Sequence, residues 1–181
     1  RSMAFFVISL AIFGSGYAYV GMRLTGSLGT GATAFIWAVL AIHFASIFAS
    51  FGVMRSVGPT PITTPFFWFV YAGMGLFSLV FTALVLGDLG LLSYRLIGDV
   101  DESRRAFLRG AVSLGAVVAA GAVGAWGVHV ARRRPTIVPV DVPIKNLHPD
   151  LEGYRIAQIS DLHVGPTIGA DFARTVVNAV N

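Results

Sequence analysis

The polar residues best arranged for chemistry lie in the stretch YRIAQISDLHVG, residues 154–165. Residues 156–159 are mostly apolar and predict a short buried strand. Asp161 and His163 follow the end of this run, two positions apart. Ligand sites in open α/β sheets lie beyond the carboxyl ends of strands, so both side chains can face one spot. A carboxylate oxygen with an imidazole nitrogen suits Zn, Mn or Fe.

This stretch resembles the first motif, D-x-H, of the calcineurin-like metallophosphoesterases, and it looks closest to their bacterial membrane-attached branch. The resemblance rests on L-x-G-Y-R-I-A-Q-I-S-D-L-H-V-G and on a Val- and Pro-rich strand at residues 137–144. It implies that Asp161 and His163 ligate the first of two divalent ions (Mn, Zn or Fe), which hold a phosphate ester and activate a hydroxide. The plainer alternative is an Asp that caps a turn and a His on a loop.

The remaining ligands of that family come from later motifs, G-D-x-x-D, G-N-H and two histidine segments, and none of them is in this sequence. We therefore expect a membrane-anchored, metal-dependent phosphoesterase in the full-length parent, with these 181 residues catalytically incomplete and binding no metal alone. The alternative is a non-catalytic transmembrane accessory or structural subunit of a larger membrane complex. A transporter or channel fits less well, because the spans carry little charge.

The composition is typical of a membrane protein. Hydrophobic residues make up 55% of the chain and charged residues only 12%, whereas charged residues are about a quarter of a soluble domain. Twelve arginines and one lysine give a net charge of +4. Most of these arginines lie at the ends of apolar runs, which favours membrane topology over nucleic-acid binding. The absence of cysteine excludes disulfides and thiolate metal sites.

Four apolar runs predict a mainly α fold, a four-helix transmembrane bundle over residues 1–131. The predicted spans are approximately residues 3–22, 32–54, 66–87 and 106–130. Twenty residues of helix cover about 30 Å, one bilayer core. Arg23 ends the first run, and Asp88 comes just after the third.

The lipid bilayer is the first expected partner, and other transmembrane helices or a membrane complex are the second. Small residues recur four positions apart in the fourth span, at Ala111 with Gly115 and at Ala120 with Gly124. Such faces let helices approach closely.

His43 lies near the middle of the second span, where an ionisable group is unfavourable and suggests a role. It could ligate a haem or chlorophyll, relay a proton, or form a hydrogen bond to a neighbouring helix.

The segment SRRAFLR resembles a twin-arginine export signal, carried by Arg104, Arg105, Phe107 and Leu108 and followed by a Gly- and Ala-rich helix. An ordinary basic helix flank is the alternative. Because the positive-inside count is balanced, this resemblance decides the expected topology. The amino end lies outside, the loop at residues 99–105 inside, and the chain after Arg132 on the periplasmic side of a bacterial inner membrane. No A-x-A site follows the helix, so we expect an uncleaved anchor.

After the bundle, residues 132–153 are expected to form a linker with an edge strand, because Pro139 and Pro143 punctuate an alternating apolar pattern. Residues 154–181 then begin an α/β metallophosphoesterase domain. Its helix is predicted over residues 171–180 from apolar positions at helical spacing. The expected order is strand, strand, helix, and the domain is cut short.

Overall fold

The computed structural model describes residues 2–97, 101–133 and 135–181. Asp99 and Arg134, which enter the predicted topology, lie outside the described residues. The described chain is helical, and its long helices are α1 (Ser2–Thr25), α2 (Thr30–Ser56), α3 (Thr64–Ile97) and α4 (Glu102–Ala131). A single 3₁₀ turn (Pro149–Leu151) and a short α5 (Ala170–Val180) follow.

The prediction of four apolar helices is confirmed, since α1 to α4 are each long and apolar enough to cross a membrane. Large apolar side chains cover their outer surfaces, as expected of helices that face lipid rather than water. The helices extend beyond the predicted spans. The largest extension is in α3, which continues from residue 87 to Ile97 and therefore includes Asp88.

The helices alternate in direction, so the ends of α1 and α3 and the starts of α2 and α4 share one end of the bundle. We call this the Arg23 end and the opposite one the Arg132 end. Both α1 and α3 contact each of the other three long helices. The bundle core consists of Val20, Val80, Leu84, Ala116 and Ala120.

The packing of α4 against α3 depends on small side chains. Ser113, Ala116 and Ala120 are buried on one face of α4, and Gly124 lies against leucines of α3. The predicted pair of Ala120 with Gly124 therefore lies on the packed face. The other predicted pair, which begins at Ala111, is exposed on a different face.

The prediction of two strands is wrong for the described residues. The segments at 137–144 and 156–160 are exposed and lack strand structure, as does the rest of the described chain. An alternating apolar pattern fits one face of a sheet, but a strand exists only when its N–H and C=O groups pair with a neighbour. Neither segment has such a neighbour among the described residues. Only the helix of the predicted strand–strand–helix order forms, as α5.

Candidate functional site

Asp161 and His163 lie on an exposed loop between the irregular segment ending at Ser160 and α5. The loop then turns at Gly165, whose N–H donates to the carbonyl of Ile168 at 2.9 Å. This turn leads into α5, whose apolar face includes the buried Val176. The two residues are thus exposed, near a short helix and outside the four long ones.

The backbone is left-handed at both candidate ligands. The φ angle is +55° at Asp161 and +46° at His163. Non-glycine residues rarely adopt this conformation, although Asp and His tolerate it better than most. Local strain of this kind concentrates at functional sites. Asp161 and His163 therefore share an uncommon backbone conformation, which Asn146 also adopts, and one residue, Leu162, lies between them.

Asp161 and His163 are suitable types of metal ligand, but two ligands are too few for a catalytic metal site. A carboxylate and an imidazole both bind Zn, Mn or Fe. Among residues 2–97, 101–133 and 135–181, however, no three His, Cys, Asp or Glu side chains converge as a metal site would require. A catalytic zinc needs at least three protein ligands. Asp161 and His163 do not complete a metal centre, and we assign no metal-dependent step to them.

The loop after the motif lies next to the Arg132 end of the bundle. A cavity of about 660 Å³ is lined by residues 164–172, by the α2–α3 loop and by Trp68 and Arg132. The Arg132 guanidinium lies 5.2 Å from the centre of the Trp68 ring. Such cation–π pairs are favourable where an aromatic belt meets the membrane surface. The loop that follows the candidate ligands therefore lies beside this end of the bundle.

His43 is buried where α1, α2 and α3 meet, and both its ring nitrogens have hydrogen-bonding partners. Nε2 is 3.1 Å from the carbonyl oxygen of Val70, and Nδ1 is 2.6 Å from the hydroxyl of Tyr17. A carbonyl can only accept, so in the neutral ring Nε2 donates to Val70 and Nδ1 accepts from Tyr17. Ligation of a haem or chlorophyll would require breaking one of these bonds.

A charged cluster that the sequence reasoning missed joins α1 to α3 at the Arg23 end. The Arg23 guanidinium contacts Asp88 through Nη2 at 2.8 Å and through Nε at 2.9 Å. The hydroxyl of Tyr19 donates to Asp88 at 2.7 Å, and Ser113 of α4 donates to the Arg23 carbonyl at 3.1 Å. The sequence does contain a hint of this pair. Arg23 and Asp88 have opposite charges and follow the first and third apolar runs, which end on the same side of a bundle of alternating helices.

The segment that resembles an export signal begins α4, and its residues face in different directions. Arg104 lies 6.0 Å from the centre of the Tyr94 ring, and Phe107 is exposed. Arg105 and Leu108 instead line a cavity between the helices. Just before them, the Ser103 hydroxyl donates to Asp101, which lowers the pKa of that carboxyl. The two adjacent arginines therefore have different surroundings.

Comparison with known proteins gives two relatives, each a "Transmembrane protein with metallophosphoesterase domain". The protein from Bos taurus is 32% identical over 87 residues, which are 48% of this chain and 19% of the relative. The protein from Danio rerio is 32% identical over 66 residues, 36% of this chain and 15% of the relative. No family model and no solved structure matches.

The matched segments span a fifth or less of the two relatives' own lengths. Together with the four apolar helices, they support the resemblance to metallophosphoesterases in its broad form. The chain has the helices of a membrane protein and is similar to transmembrane proteins with a metallophosphoesterase domain.

Proposed function

We propose that this chain supplies the membrane anchor and the first metal-ligand segment of a metal-dependent phosphoesterase. The observation that carries the proposal is the loop of Asp161 and His163. It combines two donors of the right chemistry with left-handed backbone at both, outside the apolar helices. The names of the two relatives support the same activity class. Two divalent ions would supply Lewis-acid chemistry in the complete site, and Asp161 and His163 would help to hold one of them.

The direct test is phosphodiester hydrolysis by the full-length protein with Mn²⁺. Asp161→Asn and His163→Gln should each lower kcat/KM for bis(p-nitrophenyl) phosphate at least about tenfold to a hundredfold, since even outer partners of metal ligands have effects of that size. Metal content, measured by mass spectrometry, should fall in parallel.

Asp150→Asn is the matched control, because Asp150 is an exposed carboxylate earlier in the same part of the chain, and among the described residues its charged contact is with the exposed His148. It should leave both activity and metal content unchanged. Unaltered hydrolysis in the Asp161 and His163 variants would reject the assignment of these two residues.

A non-catalytic accessory subunit is the second candidate. The observation that favours it is the exposed small-residue face of α4 around Ala111 and Gly115, which could accept a helix of another chain. Under this proposal the full-length protein co-purifies with a fixed membrane partner and hydrolyses no phosphodiester. Hydrolysis that depends on Asp161 would exclude the purely structural role.

For topology, we propose the Arg23 end inside and the Arg132 end outside, as the resemblance of residues 103–109 to a twin-arginine signal implies. This would place Asp161 and His163 on the periplasmic side of a bacterial inner membrane. The two relatives are vertebrate proteins and do not bear on the bacterial branch or on the export signal.

A further inference from the structure

A second cavity lies between the helices at the Arg23 end, away from the candidate metal ligands. Its volume is about 1020 Å³, and all four long helices contribute to its lining. The cavity is partly open to the surroundings of the bundle. A volume of this size accommodates a lipid headgroup with the upper part of an acyl chain.

The polar part of the lining carries a net positive charge. Arg23, Arg105 and Arg109 line it, and Asp88 is the acidic residue among the described lining residues. Because Asp88 is paired with Arg23, the charges of Arg105 and Arg109 are left over. The Nε of Arg105 is shielded from solvent and has no hydrogen-bond partner among the described residues. A buried guanidinium donor without a partner is unfavourable, so an anionic acceptor would stabilise this site.

The rest of the lining is apolar. Leu91 and Leu92 of α3 face the cavity together with Leu114 and Val117 of α4. Leu114 and Val117 lie about three turns farther into the apolar run of α4 than Arg105. Charge at the helix ends and hydrocarbon toward the bilayer centre is the arrangement of a phospholipid in its leaflet.

We propose that this cavity binds a phospholipid with a net negative headgroup. Its phosphate is held by Arg105 and Arg109, and an acyl chain lies against Leu114 and Val117. Basic pockets between transmembrane helices recognise anionic headgroups in this way. A free phosphate ester shares the headgroup chemistry but leaves the apolar lining without an occupant. This role accounts for the shielded, unpartnered Nε of Arg105, and it does not depend on the metal-ligand loop.

The test uses the full-length protein in nanodiscs of phosphatidylcholine with a minor share of phosphatidylglycerol, and native mass spectrometry counts the lipids retained. Phosphatidylglycerol should be enriched over its share in the disc. Arg105→Gln and Arg109→Gln should each lower this enrichment about fivefold, the contribution of one basic residue near an anionic lipid.

The matched control is Arg104→Gln, which removes the same charge one position away, from a residue that does not line the cavity. It should leave the enrichment unchanged. Equal losses in the Arg104 and Arg105 variants, or retention of phosphatidylglycerol by the unmodified protein only in proportion to its share in the disc, would overturn the proposal. The proposal would also be overturned if inorganic phosphate raised the thermal unfolding midpoint of the protein as much as phosphatidylglycerol does.

Two further variants separate binding from folding. Gly110→Phe keeps every charge but fills the cavity, and a Cβ at Gly110 meets no atom within 4 Å. Arg105→Lys keeps the positive charge. The proposal expects loss of enrichment in the first and retention in the second, with unchanged size-exclusion profiles. Enrichment retained in Gly110→Phe and lost in Arg105→Lys, or equal enrichment in these two variants, would reject the proposal. This holds even if Arg105→Gln fails to fold.

Discussion

Arg23 and Asp88 show how a charged side chain is accommodated near the end of an apolar helix when an opposite charge pairs with it. The Arg23 side chain is 16% exposed and that of Asp88 is 35% exposed, so both are partly removed from water. Each has its charge compensated by the other, and Tyr19 fills a further acceptor site on the carboxylate. Removing one partner of such a pair leaves the other charge uncompensated, and this destabilises the fold more than replacing both partners by apolar residues would.

Asp88→Asn is therefore expected to lower the free energy of unfolding by about 1–3 kcal/mol, as for the loss of a charged hydrogen bond. The measurement is the thermal unfolding midpoint of the protein in mild detergent. Asp171→Asn is the control, since Asp171 forms an exposed ion pair with Arg174 and such pairs contribute little. A midpoint shift of equal size in the two variants would contradict a structural role for the pair.

His43 is a second residue whose surroundings define its role. The hydrogen bonds to Tyr17 and Val70 fix the ring between three helices, and the Tyr17 ring stacks on Phe77 with centroids 3.9 Å apart. Of the roles that the sequence left open, the hydrogen bond to a neighbouring helix has a matching geometry. A ligand or proton-relay role stays a prediction.

At the scale of elements, α3 contacts each of the other three long helices, and two of its glycines let side chains of α2 and α4 approach its backbone closely. A Cβ at Gly73 would lie 2.3 Å from His43 Nε2. The missing side chain is what lets the imidazole reach the carbonyl of Val70, one turn before Gly73. Gly87 is similar, since a Cβ there would lie 2.3 Å from Val112 of α4.

Gly73→Ala should separate α2 from α3 and lower the free energy of unfolding by about 1–3 kcal/mol, the usual effect of overpacking a rigid core. The ring cannot move aside without losing a hydrogen bond. Thermal unfolding in detergent measures the effect. Gly75→Ala is the matched control on the same helix, because a Cβ there meets nothing within 4 Å and alanine is the better helix former. Destabilisation by Gly75→Ala as large as that by Gly73→Ala would argue against a role for close approach.

At the scale of the whole molecule, the two ends of the bundle differ in chemistry. The Arg23 end carries the ion pair and the proposed lipid cavity. The Arg132 end carries the arginine–tryptophan contacts, and the candidate metal ligands follow it in the chain. The Arg133 guanidinium lies 5.4 Å from the centre of the Trp126 ring. The proposed lipid site and the proposed phosphoesterase loop are therefore at opposite ends.

The proposed orientation predicts that a reporter active only in the cytoplasm is inactive when it is fused after Asn181. The same reporter inserted after Gly26, in the loop between α1 and α2, should be active, because that loop shares the Arg23 end. Enzyme activity in intact cells measures both. Activity after Asn181 together with inactivity after Gly26 would reverse the orientation.

The sequence by itself determined the four apolar helices and α5, because hydrophobic length and periodicity are local properties that tertiary contacts only reinforce. It also supplied the pair of candidate ligands, Asp161 and His163. It could not decide whether residues 137–144 and 156–160 form strands, since pairing is a property of two segments. Tertiary structure alone decided that Arg23 meets Asp88, that Tyr17 and Val70 hold His43, and that Arg105 faces a cavity while Arg104 does not. The physical reason is that each of these facts depends on which helices are neighbours and how each is rotated about its axis.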